Sequence, residues 1–353
     1  MARRYDVAVI EGDGVGPEIL EVVTPWVTDL AESHGIELSF TNYDWGSERY
    51  LEIGSMMPDG GVDRLRGTDG ILLGAVGHPD VPDHVTLHGL LLPIRKRLDQ
   101  RICKRPTILY DGVRSPLRGY EGGDIDFVVF RENSEGEYAD MGGREHRDLG
   151  HEVAVQTNVF TRSATESIVR AAFEAARERD GQLTSVTKSN AQAHSMVFWD
   201  DVVDEIASEY PHVTVERLLV DAAAMDLIRR PEDFDVIVAS NLFGDILTDI
   251  GAIVGGSMGL APSANLTETD STPSMFEPVH GSAPDIAGQG VANPLATVLS
   301  AAMLFDDLGE GELAADLNEA VRSQLADPVG PRTPDLGGEA GTNAVVDDLR
   351  ERC

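Results

Sequence analysis

Short apolar runs alternate with stretches of helical period along the chain. Tyr5–Ile10, Gly70–Val76, Asp126–Phe130, Glu152–Phe160, Leu183–Thr187, Val213–Val220 and Phe234–Ala239 read as strands. After Pro17, which suits a first helical turn, Ile19, Val22, Val23, Trp26 and Leu30 recur at helical spacing, and Gly35 is placed to end that helix. Leu87–Leu98 is predicted helical. Ser163-Ala-Thr-Glu166 reads as a capping box for a helix running to Asp180 and stopped by Gly181. From Pro294 the tail is mainly two helices, the second Glu312–Ala326, and a last one follows the Gly-rich stretch Thr333–Thr342. Strands alternating with helices predict α/β layers, in which ligands collect at the C-terminal ends of the strands.

Composition narrows the classes. At 353 residues, two domains of ordinary size are expected. No apolar run approaches membrane-spanning length, and acids at Asp6 and Glu11 leave no signal-peptide core, so a cytoplasmic protein is expected. Cys103 and Cys353 are the only cysteines, too few for a disulfide framework or a cysteine zinc site. A net charge of −33 argues against nucleic acid as a partner. Only Lys96, Lys104 and Lys188 are lysines; the other 25 basic residues are arginines. An acidic, lysine-poor surface suits a cytoplasm full of salt, where repulsion is screened within a few ångströms, and points to a halophile.

The chemistry-bearing groups cluster at strand ends: Arg131, Lys188, Asp221, then Asp245 one turn into the helix after Ser240-Asn241. Asp245 and Asp249 share a helix face and repel, unless a cation such as Mg²⁺ lies between them. Arg95, Arg105 and Arg131 suit a substrate with two carboxylates, because the guanidinium fork matches a carboxylate bidentately. Lys188 survives where lysine is nearly eliminated, and lysine can exchange protons where arginine cannot. Tyr138 offers a second proton donor. Gly12-Asp-Gly-Val-Gly16 lacks the spacing of a Rossmann fingerprint and reads as tight-turn glycines close to a ligand. Residues 277–294 are too rich in glycine and proline for a helix or strand, and a loop of that length usually binds something. Asp285 there could accept from both ribose hydroxyls of adenosine.

Gly12-Asp-Gly-Val-Gly-Pro-Glu18, Asn241-Leu-Phe-Gly-Asp245-Ile-Leu-Thr-Asp249 and the 277–294 loop together resemble the β-decarboxylating dehydrogenases, the isocitrate/isopropylmalate dehydrogenase family, over essentially the whole chain. The resemblance implies that family's own two-domain α/β fold with a shared central mixed sheet. A large discontinuous cofactor-binding domain (1–104 and 257–353) and a small domain (105–256) with the dimer interface and an arm near 138–160 are expected. It implies a homodimer whose sites are completed across the interface. Arg95, Arg105 and Arg131 correspond to the carboxylate-binding arginines, Tyr138 to the proton donor for the enol intermediate, and Lys188 with Asp221 to the pair given by the other subunit. Asp221, Asp245 and Asp249 match the Mg²⁺ or Mn²⁺ ligands. Glu277, His280, Gly281, Ser282, Ala283, Pro284, Asp285, Ile286 and Asn293 match the adenosine-binding loop, and Asp285-Ile286 is similar to the NAD-using members.

The implied reaction is oxidation of a 2-hydroxy acid, with hydride passing to NAD⁺ and Lys188 assisting loss of the hydroxyl proton, followed by loss of CO₂ and protonation at carbon 3 by Tyr138. Val81–Leu92, Tyr43-Asp-Trp45-Gly-Ser, Met56–Gly60 and Phe127–Tyr138 are similar to the tartrate/D-malate branch. His88 departs from it, standing where a tryptophan is expected. Leu91 and Leu92, in the run Leu90–Leu92, would suit an alkyl substituent, as in 3-isopropylmalate. Isocitrate and homoisocitrate are disfavoured, since no Ser-x-Asn precedes Arg95 for a third carboxylate. A carboxylate-binding protein without turnover is the alternative from another class.

Overall fold

The structure, a computed structural model, describes residues 3–269 and 271–353. The chain divides into two compact units. The first takes the N-terminal stretch to Gln100, Lys104–Asp126 and the chain from Gly251 on; the second is Arg101–Cys103 with Phe127–Ile250.

In the first unit, consecutive strand residues feed opposite apolar layers. Val7 and Val9 of strand Arg3–Gly12 enter one cluster, with Trp26, Phe305 and Leu317; Ala8 and Ile10 enter the other, with Trp45, Leu65 and Ile94. Strands buried on both faces are the mark of a parallel sheet covered by helices. Arg3–Gly12 pairs in parallel with Ile36–Tyr43 and with Gly70–Ala75. Met275–Pro278 joins Gly70–Ala75 in parallel, then pairs antiparallel with Pro262–Leu266, so the sheet is mixed. Helices Val15–Ser33, Leu295–Asp307, Gly311–Ala326 and Thr342–Arg352 supply the first cluster. None of the helices among the described residues is long and apolar enough to cross a membrane.

The second unit orders its strands Asp126–Glu132, Val236–Ala239, Gln182–Thr187, Thr214–Leu219, all parallel. A separate antiparallel ribbon, Gly142–Glu145 with Val153–Gln156, is exposed on every residue. Of the strand expected over Glu152–Phe160, Val153–Gln156 forms in this ribbon, and Val159 makes a single bridge to Gly136.

Three local expectations need correction. The helix Arg162–Glu178 is capped by Thr161, whose extended backbone lets its hydroxyl accept from the Ala164 N–H at 3.3 Å; Ser163 already lies inside the helix and cannot cap it. The strand expected to end at Asp221 stops at Leu219, and Asp221 sits in the first turn of helix Val220–Arg229. The helix over Leu87–Leu98 is interrupted by a π-helical turn, Leu87–Leu91, and resumes at Leu92–Arg97.

Candidate active site

The glycines of residues 12–16 serve neighbouring backbone. A Cβ on Gly12 would lie 1.9 Å from the Ala75 carbonyl oxygen, and one on Gly14 2.0 Å from that of Ser282. Both residues also have positive φ, 71° and 60°. Val15 N–H donates to Ser282 O at 2.9 Å. The turn after the first strand is thus seated on the 277–294 loop.

Between Glu277-Pro278, which end a strand, and Leu295, which opens a helix, the loop has no regular structure. It walls a cavity of about 420 Å³, inside the usual range for small-molecule sites of roughly 300–1,000 Å³. Val15, Ile19, Ala283, Ile286 and Val291 make it apolar, and His280, Asn293 and Asp335 add polar edges. His280 Nδ1 is 3.0 Å from Gly281 O, while its Nε2 is buried without a partner. Burial holds its imidazole below the ordinary 6.5. An apolar cavity with one unsatisfied imidazole nitrogen suits an adenosine, and Gly281, Pro284 and Asp285 are exposed on the same loop. Asp335 was not singled out by sequence. It accepts from Asn293 Nδ2 (2.9 Å), Thr333 Oγ1 (2.6 Å) and Ser257 Oγ (2.5 Å), fixing the far wall.

Arg95 and Arg105 lie in the same unit and are buried. Arg95 Nη2 is 2.7 Å from Glu277 Oε1, and Asn265 Nδ2 donates to that oxygen at 2.8 Å. Glu277 therefore anchors an arginine as well as opening the loop. Arg105 Nε reaches Ser263 Oγ at 3.3 Å. The leucine run faces inward: Leu90, Leu91 and Leu92 are 0, 8 and 5% exposed, whereas His88 is exposed. Leu90 and Leu91 lie in the π-helical turn and Leu92 opens the helix after it.

The second unit gathers Arg131, Tyr138, Asn241 and Asp245. Strand Asp126–Glu132 delivers Arg131, 2% exposed, with its guanidinium on Asn241 Oδ1 (Nη2 at 2.7 Å, Nε at 3.1 Å) and on Asp245 Oδ1. Tyr138 donates to the other oxygen, Asp245 Oδ2, at 2.7 Å, and its ring centre lies 5.4 Å from the Arg131 guanidinium carbon. Gly244 is required here, because a Cβ would meet Arg131 at 2.7 Å. Asp249, one turn on, is exposed.

Lys188, just past the end of strand Gln182–Thr187, donates to Asp221 Oδ1, and that contact holds the Asp221 carboxyl below the usual range. No group of three or more His, Cys, Asp or Glu side chains suited to a metal occurs among the described residues of one chain. Asp245 and Asp249, four residues apart on one helix, are carboxylates of the kind Mg²⁺ or Mn²⁺ takes with water and substrate oxygens, and a cation there would share Asp245 with Arg131 and Tyr138.

The α/β fold and the relatives it matches make the chain an oxidoreductase of the decarboxylating dehydrogenase class. Residues 6–349 match the isocitrate/isopropylmalate dehydrogenase family, and the chain belongs to it. It is 48% identical to a probable tartrate dehydrogenase/decarboxylase of Bacillus subtilis, over 99% of this chain and 98% of that one. With D-malate dehydrogenase [decarboxylating] of Escherichia coli the identity is 46%, over 99% and 98%. With 3-isopropylmalate dehydrogenase of Thermobifida fusca it is 45%, over 99% and 98%.

Proposed function

We propose that the protein oxidises and decarboxylates D-malate or tartrate, using NAD⁺ and Mg²⁺ or Mn²⁺. The substrate choice is supported by exposed His88 beside the run Leu90–Leu92, together with the 48 and 46% identity to tartrate and D-malate dehydrogenases. A polar imidazole suits the hydroxyl of tartrate or the small C3 of malate, and it would leave an isopropyl group against water.

Arg95, Arg105 and Arg131 bind and orient the two carboxylates. Lys188 of a second copy, backed by that copy's Asp221, takes the proton of the C2 hydroxyl. Tyr138 returns a proton to carbon 3 after CO₂ leaves, and its hydrogen bond to Asp245 orients the phenol. Asp245 and Asp249, with Asp221 of a second copy, would hold the cation. The loop from Glu277 to Asn293 would hold NAD, with adenine in the 420 Å³ cavity and Asp285 on the ribose. When bound, the dinucleotide accepts the C2 hydride and the cation polarises the oxygens around it.

The active form is a homodimer built on the second unit. Met225 and Ile228 on one helix, Ile246 and Ile253 on the next, and Val153 and Val155 on the ribbon are each about half exposed, a set of apolar side chains that pairing would cover. NADH formation from D-malate, L-tartrate and 3-isopropylmalate, with Mn²⁺ in molar salt, tests the reading. The highest kcat/KM is expected for one of the first two; a 3-isopropylmalate value larger by orders of magnitude would overturn it.

A further inference from the structure

The helix Asn241–Val254, which bears Asp245 and Asp249, needs a cap for its first free N–H groups. Glu137 supplies one from a distance of about a hundred residues. Its Oε1 accepts from Ser240 Oγ at 3.0 Å, and its Oε2 accepts from the Leu242 N–H at 3.2 Å. A carboxylate on the first free N–H groups of a helix satisfies their hydrogen bonds and lies favourably in the helix dipole. The same loop makes a second backbone tie, with Asn241 Nδ2 donating to Glu135 O at 3.2 Å. The next residue, Tyr138, reaches one turn further along the same helix to Asp245. Glu137 also occupies the helix N-terminus, the natural seat for an anion, so a substrate carboxylate is left to the arginines.

We propose that Glu137 is a positioning residue, fixing the helix of Asp245 and Asp249 in register with the Tyr138 hydroxyl. The inference rests on the proposed reading of Asp245 and Asp249 as cation ligands. The Glu137 oxygens accept from Ser240 and Leu242. Glu137 acts by making the acid pair and the proton donor one rigid piece, so its loss loosens cation binding and proton delivery together.

Titration of the full-length protein with Mn²⁺ in molar KCl, without substrate or NAD, reads the first effect. Glu137→Ala is expected to weaken Mn²⁺ binding about tenfold, the scale of losing a helix cap. It should lower kcat and leave KM for NAD unchanged. Glu137→Gln, which keeps an oxygen for the Leu242 N–H and gains a donor for Ser240, should restore most of both. Ser240→Ala, which removes one of the two bonds and keeps the loop, should give a smaller change in the same direction, and it serves if the alanine variant does not fold. Asp245→Asn sets the baseline. If it binds Mn²⁺ like the parent, the cation reading itself fails. If it loses Mn²⁺ while Glu137→Ala stays within twofold of the parent, the positioning role is overturned. A fall in thermal stability without any change in Mn²⁺ affinity overturns it equally.

Discussion

Replacing Arg95 by methionine separates what the Arg95–Glu277 pair does for the fold from any role with substrate. The two side chains are 7 and 8% exposed and 2.7 Å apart. Methionine fills most of the arginine stem, so little cavity is added, and what changes is the charge. Glu277 is left buried against the Asn265 amide. Breaking one side of a buried ion pair costs about 3–5 kcal/mol, mostly because the surviving charge stays desolvated and unpaired. Adding Glu277→Gln removes that charge, and the double variant should recover about half of the loss or more, since a neutral pair of similar volume is often as stable as the ion pair. Urea unfolding in molar KCl, followed by fluorescence of Trp26 and Trp45, both buried in the first unit, reads both midpoints. No substrate is present, so the outcome is independent of carboxylate binding. A single-variant loss below about 1 kcal/mol, or a double variant no more stable than Arg95→Met, would refute the reasoning.

Because burial holds His280 below its ordinary value, the unfolded chain takes up that proton first as the pH falls. Its contribution to stability is present above about 6.5 and is lost on acidification through the folded pKa, by up to about 1.4 kcal/mol per unit. Urea midpoints of His280→Gln should be flatter than the parent's between about pH 7 and pH 5; equal slopes would contradict this. Lys188→Met should abolish turnover while NAD and Mn²⁺ still bind in equilibrium titrations, and a near-normal kcat would remove Lys188 from the chemistry. With a net charge of −33, the melting temperature should climb between dilute buffer and molar KCl, and a flat or falling curve would dispose of the halophilic reading.

The layer order was legible because strand and helix periods alternate cleanly, and Arg131 and Lys188 lie at strand ends as the apolar runs before them indicate. What escaped depended on partners far away in sequence. Glu137 and Asp335 stand in acidic or Gly/Pro-rich stretches with no periodicity, and their roles come from Ser240, Leu242, Ser257 and Asn293. Asp13 is similar: buried at 4%, it accepts from Ser47 N–H (2.6 Å), Ser47 Oγ (2.7 Å) and Gly77 N–H (2.8 Å), pinning three turns of the first unit together. The direction of the leucine run escaped for another reason. A π-helical turn adds a residue to the repeat and rotates everything after it, and nothing in an apolar run announces that insertion. Thr161 displaced the expected Ser163 cap because both residues can cap and only backbone geometry chooses between them.

The close seat of Gly12 and Gly14 on Ala75 and Ser282 has a consequence for anyone exchanging parts between relatives. Backbone meets backbone there with no side chain to act as a cushion, so the loop of residues 277–294 and the turn at 12–16 are a matched pair of surfaces. A donor loop with its carbonyl displaced at the position of Ser282 would collide with the turn or lift off Val15. Transplants of the loop should therefore travel with their own turn, as one cartridge cut from two distant places in the chain.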